Sequence, residues 1–172
     1  EKGYQSFDWY DYIVQRNAPQ ASINANISGG GKETKYYVSV SHLSQDAAFR
    51  DYKYRRSNVQ SNFETNIGKR MRAGVNLSGR IDSKRNPAVS GADPDDYWQP
   101  RNALLNLLPT ERPYANDNPM YISATQVPEA NWAGINYRNS GSYKYDLRVM
   151  QANMFAEYKS YYVPGLTGRV TY

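Results

Sequence analysis

The sequence predicts an all-β protein, an antiparallel segment of a transmembrane β-barrel with about six strands and long extracellular loops. Three observations carry this expectation. Side chains alternate with period 2 in paired runs. The connections between the runs alternate between short and long. Polarity is high without high charge: mean hydropathy is −0.83 and charged residues make up 22 %.

Taken in order, residues 1–19 show no strand alternation and read as a loop leading into the first strand. Phe7-Asp8-Trp9-Tyr10-Asp11-Tyr12-Ile13-Val14 suits a short helix, with Asp8 near its start and Pro19 closing the segment. Residues 20–82 read as four strands in two hairpins. In the first, Ile23, Ala25 and Ile27 alternate with Ser22, Asn24, Asn26 and Ser28, and Tyr36, Val38 and Val40 alternate with Tyr37, Ser39 and Ser41. Gly29-Gly30-Gly31-Lys32-Glu33 between them permits the positive φ of a tight turn. In the second, Val59, Ser61, Phe63, Thr65 and Ile67 oppose Asn58, Gln60, Asn62, Glu64 and Asn66. After Gly68-Lys69-Arg70, the run Met71, Ala73, Val75, Leu77, Gly79, Ile81 opposes Arg72, Gly74, Asn76, Ser78, Arg80, Asp82. A helix would scatter these charges around its circumference.

Residues 83–142 carry Pro87, Pro94, Pro100, Pro109, Pro113, Pro119 and Pro128 and are expected to hold no continuous strand, because proline removes a ladder donor. Only Arg101–Leu108 looks helical there. Residues 143–172 read as two more strands: Met150, Ala152, Met154, Ala156 and Tyr158 against Gln151, Asn153, Glu157 and Lys159, then Leu166, Gly168, Val170 and Tyr172 against Thr167, Arg169 and Thr171.

Alternation by itself fits a soluble sheet with one buried face as well as a barrel wall. The connections separate the two. Those near 29–33, 68–70 and 161–165 are short, and those at 44–53 and 83–142 are longer. Transmembrane barrels sort their connections this way, with short periplasmic turns and long extracellular loops. No stretch approaches the ~18 apolar residues of a spanning helix, whereas a spanning strand needs only about 9–11. Seventeen tyrosines against four phenylalanines suit a boundary that is apolar on one side and wet on the other.

In a wall, Val59, Phe63, Ile67, Val75, Leu77 and Ile81 face outward. Asn58, Gln60, Asn62, Glu64, Arg72, Asn76, Arg80 and Asp82 face the lumen. Tyr36, Tyr52, Tyr54, Tyr158, Tyr161 and Tyr162 fall near strand ends and suit interfacial girdles. Tyr97, Trp98, Arg101, Trp132 and Tyr137 in the long loop are the candidates for substrate contact, by stacking on sugar rings or packing on captured peptide. The plainer use of such rings is to anchor the loop itself.

The net charge of +5 and pI near 9.3 come from basic residues spread along the chain and interleaved with acids, which does not point to nucleic acid. His42 is the single histidine and there are no cysteines, so no metal site is expected from those ligands. Asp93, Asp95 and Asp96 offer carboxylates suited to calcium, without the spacing of a known calcium loop. No nucleophile elbow, P-loop or zinc signature occurs, so no enzyme activity and no cofactor are expected. The chain opens at Glu1 without an initiator Met and reads as an interior fragment.

Asp8-Trp9-Tyr10-Asp11-Tyr12-Ile13 with Ala18-Pro19, Ile27-Ser28-Gly29-Gly30, Tyr36-Tyr37-Val38-Ser39-Val40, Leu43-Ser44-Gln45-Asp46, Tyr54-Arg55-Arg56-Ser57-Asn58 and Gly74-Val75-Asn76-Leu77-Ser78-Gly79-Arg80, in this order, resemble the SusC-like TonB-dependent transporters of the bacterial outer membrane. Ala47-Ala48 stands where that family usually has Gly. The resemblance covers residues 7–82 well and 147–172 loosely. It implies a multi-pass outer-membrane barrel of roughly 22 strands. It also implies an inner plug, a SusD-like lipoprotein lid, energy from the TonB complex, and an oligosaccharide or peptide as substrate. The alternative is a soluble or surface-exposed β-rich carbohydrate-binding or adhesin module.

Overall fold

A computed structural model describes residues 6–88, 98–127 and 130–172. It contains one six-stranded sheet in the order β1 (Gln20–Gly30), β2 (Thr34–Asp46), β3 (Lys53–Ile67), β4 (Met71–Pro87), β5 (Ser142–Lys159) and β6 (Thr167–Thr171). Each strand pairs with its neighbour in sequence, so the sheet is a meander, open at β1 and β6. Strands β5 and β6 run antiparallel with Phe155 opposite Thr171, Glu157 opposite Arg169 and Lys159 opposite Thr167. At the two ends of the β4–β5 ladder, Ala88 N donates to Gly141 O and Lys159 N to Arg70 O.

A strand and a connection differ from expectation, as does one helix described below. Strand β4 runs through Ser83 to Pro87, although prolines from 87 onward were expected to exclude strand. Pro87 is the last residue of β4, a position where a missing ladder donor costs little. The β2–β3 connection is correspondingly shorter than the expected 44–53, covering only 47–52, about the length of the β5–β6 connection at 160–166. Length therefore separates the connections less sharply than packing does.

The chain divides into two compact units, one formed by Glu1–Gln20, Gln45–Tyr54 and Lys84–Tyr145, the other by Ala21–Ser44, Arg55–Ser83 and Asp146–Tyr172. The first has a hydrophobic core. Helix α1 (Trp9–Ile13) is capped by the Asp8 carboxylate, which accepts from Asp11 N at 2.9 Å. Helix α2 spans Trp98–Asn106, three residues earlier than Arg101. Pro100 lies in its first turn, where the absent N–H has no intrahelical acceptor to lose. Trp9, Ile13, Tyr52, Ala103, Leu107, Ala130, Trp132 and Ile135 form the buried cluster, with Phe7, Tyr12, Phe49 and Leu104 packed against it.

Long-range hydrogen bonds tie these three segments together. Trp9 Nε1 donates to Leu108 O at 3.0 Å and Phe7 N to Pro109 O at 2.7 Å. Gln15 N donates to Ala48 O at 2.6 Å. Within the third segment, buried Asn131 donates from Nδ2 to Ser123 O at 2.7 Å. Residues expected to be loop with two short helices thus form a folded body.

The second unit has no hydrophobic core. Its one buried residue is Asp82. The alternating apolar side chains of its strands are open: Val59 is 50 % exposed, Ile81 50 % and Val170 73 %, and Val75 is half-buried. Nothing in this unit covers either face of its sheet.

Candidate functional site

The polar face of the second unit gathers the hydrogen-bonding side chains. Period 2 puts Asn58, Gln60, Asn62 and Glu64 of β3 on one face, and antiparallel pairing sets them beside Arg72, Asn76, Arg80 and Asp82 of β4. Side-chain contacts confirm the shared face. Asn58 Nδ2 donates to Ser41 Oγ at 2.9 Å, Arg72 Nη2 meets Glu64 Oε1 at 2.7 Å, and Ser78 Oγ donates to Gln151 Oε1 at 3.5 Å. Gln60, Asn62, Asn76, Ser78 and Asn153 line one shallow groove of this face.

At one end of this face Asp82 holds two guanidinium groups. Arg56 Nε meets Asp82 Oδ1 at 2.9 Å and Arg80 Nε meets Oδ2 at 3.0 Å. The carboxylate is 10 % exposed, while the arginine side chains are 40 % and 43 % exposed. A carboxylate taken this far from water needs such charge-assisted partners on both oxygens. Beside it, a groove of about 580 Å³ is lined by Ser39, Ser41, Asn58, Gln60, Ser78, Arg80 and Gln151.

Alternation also assigns Phe155, Arg56 and Arg169 to the polar face, and the expected lumen set omitted all three. The Phe155 ring lies over Gly74, with Arg169 Cζ 4.5 Å and Arg72 Cζ 5.8 Å from its centroid. The available signal was parity, since 155 shares it with Gln151, Asn153 and Glu157. A Cβ at Gly74 would stand 2.7 Å from Phe155 Cζ and 2.9 Å from the backbone oxygen of Phe63. The ring can swing aside and the backbone oxygen cannot. Gly74→Ala is therefore expected to cost about 1–3 kcal/mol by overpacking. Gly79→Ala, where nothing lies within 4 Å, should be near neutral. Urea unfolding midpoints of the full-length protein in lipid vesicles compare the two, and equal midpoints would show that Gly74 is not required for packing.

The candidate substrate residues are dispersed. Tyr97 lies outside the described residues, as do Asp93, Asp95 and Asp96. Trp98, at the start of α2, is 56 % exposed, and Arg101 is exposed. Trp132 is 3 % exposed, its ring stacked on Tyr52 at 6.3 Å and 15°. The Tyr137 hydroxyl donates to Asp51 O, and Arg85 Cζ lies 4.4 Å from its ring centroid. Among the described residues, the contacts of Trp132 and Tyr137 are made with Tyr52, Asp51 and Arg85 and not with Trp98 or Arg101.

Burial governs the tyrosines of this first unit. It pushes the Tyr52 hydroxyl up to about 12 and also raises Tyr12, whose hydroxyl lies 3.2 Å from that of Tyr114. Tyr52 is thus a core residue and Tyr54 shares the parity of Arg56 and Asn58, so neither belongs to an outward girdle. Tyr36, Tyr158, Tyr161 and Tyr162 are exposed, with Arg70 Cζ 4.1 Å over the Tyr161 ring. His42 Nδ1 pairs with Ser57 Oγ at 2.9 Å, and among the described residues no group of His, Asp and Glu is placed to hold a metal.

No protein-family model matches the chain. Among curated proteins, the TonB-dependent receptor P3 of Formosa agariphila is 29 % identical over 83 residues, which is 48 % of this chain and 8 % of that receptor. The chain is similar to a small portion of that protein's length.

Proposed function

We propose that this chain is a stretch of barrel wall from a SusC-like TonB-dependent transporter of the bacterial outer membrane, importing an oligomeric nutrient and performing no covalent chemistry. One observation carries the proposal: the second unit presents alternating apolar side chains on one face and buries none of them. A water-facing sheet of this kind would expose a continuous apolar patch, which soluble proteins avoid, whereas hydrocarbon accepts it. The strands from β2 to β5, at 13, 15, 17 and 18 residues, exceed the length that crosses a bilayer.

An open sheet edge is intolerable in lipid, so further strands complete a closed barrel of roughly 22. Residues 1–19 and 83–142 then lie on the extracellular side, and 20–82 and 143–172 supply the wall. Trp98 and Arg101, at the surface of the folded loops, are the described candidates to contact solute or a SusD-like lipoprotein lid. TonB acts through a plug elsewhere in the polypeptide. The similarity to a TonB-dependent receptor supports this assignment.

Cell fractionation with growth assays tests the proposal. The full-length product should enter the outer membrane, and its deletion should abolish growth on one oligosaccharide or peptide source while sparing the monomer. A soluble or secreted product that binds glycan without supporting uptake would instead establish a binding module.

A further inference from the structure

The ionisable groups on the polar face are unbalanced. By strand parity, Lys35, Arg56, Arg72, Arg80, Lys159 and Arg169 share that face in the second unit with only three carboxylates, Glu64, Asp82 and Glu157. Each carboxylate lies against arginine. Glu64 pairs with Arg72 at 2.7 Å, Asp82 with Arg56 and Arg80, and Glu157 stands opposite Arg169 in the β5–β6 register. The surplus on this wall is cationic.

The groove beside Asp82 holds one cation of this face, whereas Lys35, Arg72 and Lys159 line a second groove together with Glu64 and Glu157. Arg80 is the only ionised residue lining the first, and no carboxylate lines it; the rest of its polar lining is hydroxyl and amide, chiefly Ser41, Gln60, Ser78 and Gln151. Asp82 takes the Arg80 Nε and holds the side chain in place while 43 % of it stays exposed. An arginine positioned in this way keeps its terminal nitrogens for a planar or tetrahedral oxyanion, and fixing it beforehand lowers the entropy lost on binding. Neutral amides around it satisfy the polar atoms of a solute without repelling its charge.

Building on the transporter assignment above, we propose that this wall accepts an acidic oligomer and that Arg80, positioned by Asp82, contacts its carboxylate or sulfate groups. The counter-charge comes from the solute, not from another segment of the same polypeptide.

Calorimetric titration of the full-length protein in detergent tests this, with hexagalacturonate as the acidic probe and maltohexaose as the neutral one. The acidic hexamer should bind more tightly, and added salt should weaken it selectively. Arg80→Gln should weaken it about tenfold or more, as loss of a charge-assisted contact does. Arg80→Lys, which keeps the charge and the pairing with Asp82 but loses the fork, should fall in between and carries the test if Arg80→Gln does not assemble. Arg148→Gln removes an equal charge at the opposite parity and should leave binding unchanged.

Equal affinity for both hexamers, binding of neither, or equal effects of Arg80→Gln and Arg148→Gln would overturn the proposal. So would a lowered melting temperature in Arg80→Gln with undiminished hexamer binding, which would place the counter-charge within the polypeptide. The outer-membrane and growth phenotypes report on transport independently, so failure of the anion site leaves them standing.

Discussion

Replacing Trp132 with alanine is expected to destabilise the first unit by about 3–5 kcal/mol, the usual cost of emptying an aromatic site in a packed core. The ring is 3 % exposed, stacks on Tyr52 and belongs to a cluster drawn from all three chain segments of the unit. Its loss removes apolar contact from short elements, since α1 spans only Trp9–Ile13 and the 3₁₀ turn at Trp132–Gly134 only three residues. Hydrogen exchange on the full-length protein reads the effect locally. Protection should fall at Phe7, Gln15 and Leu107, whose amides bond to Pro109 O, Ala48 O and Ala103 O. Strands within 55–83 should keep theirs. Unchanged protection at all three amides would show that the cluster does not hold the unit together.

Val75→Arg should cost about 2–4 kcal/mol, the range for a cation placed at mid-bilayer on the lipid face of a barrel. Asn76→Arg, one residue away and on the opposite face, should be mild, because a cation there meets water and polar neighbours such as Gln60, Ser78 and Asn153. Refolding of the full-length protein into vesicles, followed by the gel mobility shift of folded barrels, measures both. Equal tolerance would remove the lipid-facing assignment, and with it the main support for the transporter. In a soluble sheet under a second layer, Val75→Arg would also be costly. The comparison gains its force from the open apolar face, since no layer of the second unit lies over it.

The alternation of the two faces of the sheet was legible in the sequence. Val59, Phe63, Ile67, Leu77 and Ile81 are exposed, and the Glu64–Arg72 and Asp82–Arg80 pairs join residues assigned in advance to one face. Phe155 was left out of both faces, although it shares the parity of Gln151 and Asn153. Its use on the polar face depends on Gly74 leaving room beneath the ring and on arginines beside it, a combination contributed by three strands.

The folded loops were not legible. Prolines and polar residues between 83 and 142 suggested irregular chain, and among the described residues so they form, apart from the end of β4 through Pro87, the start of β5 at Ser142, α2 and the short 3₁₀ turns. Trp132 and Tyr137 were set out as candidates for ligand contact, yet one is core and the other is hydrogen-bonded to Asp51 O.

The sequence by itself determined strand, face and order, because period 2 and turn chemistry act between residues a few positions apart. Only the tertiary structure decided that Trp9 reaches Leu108, 99 positions away, that Tyr52 stacks on Trp132, and that Asp82 gathers two arginines. Such meetings depend on chain closure and shape complementarity across distant segments, for which no local pattern exists.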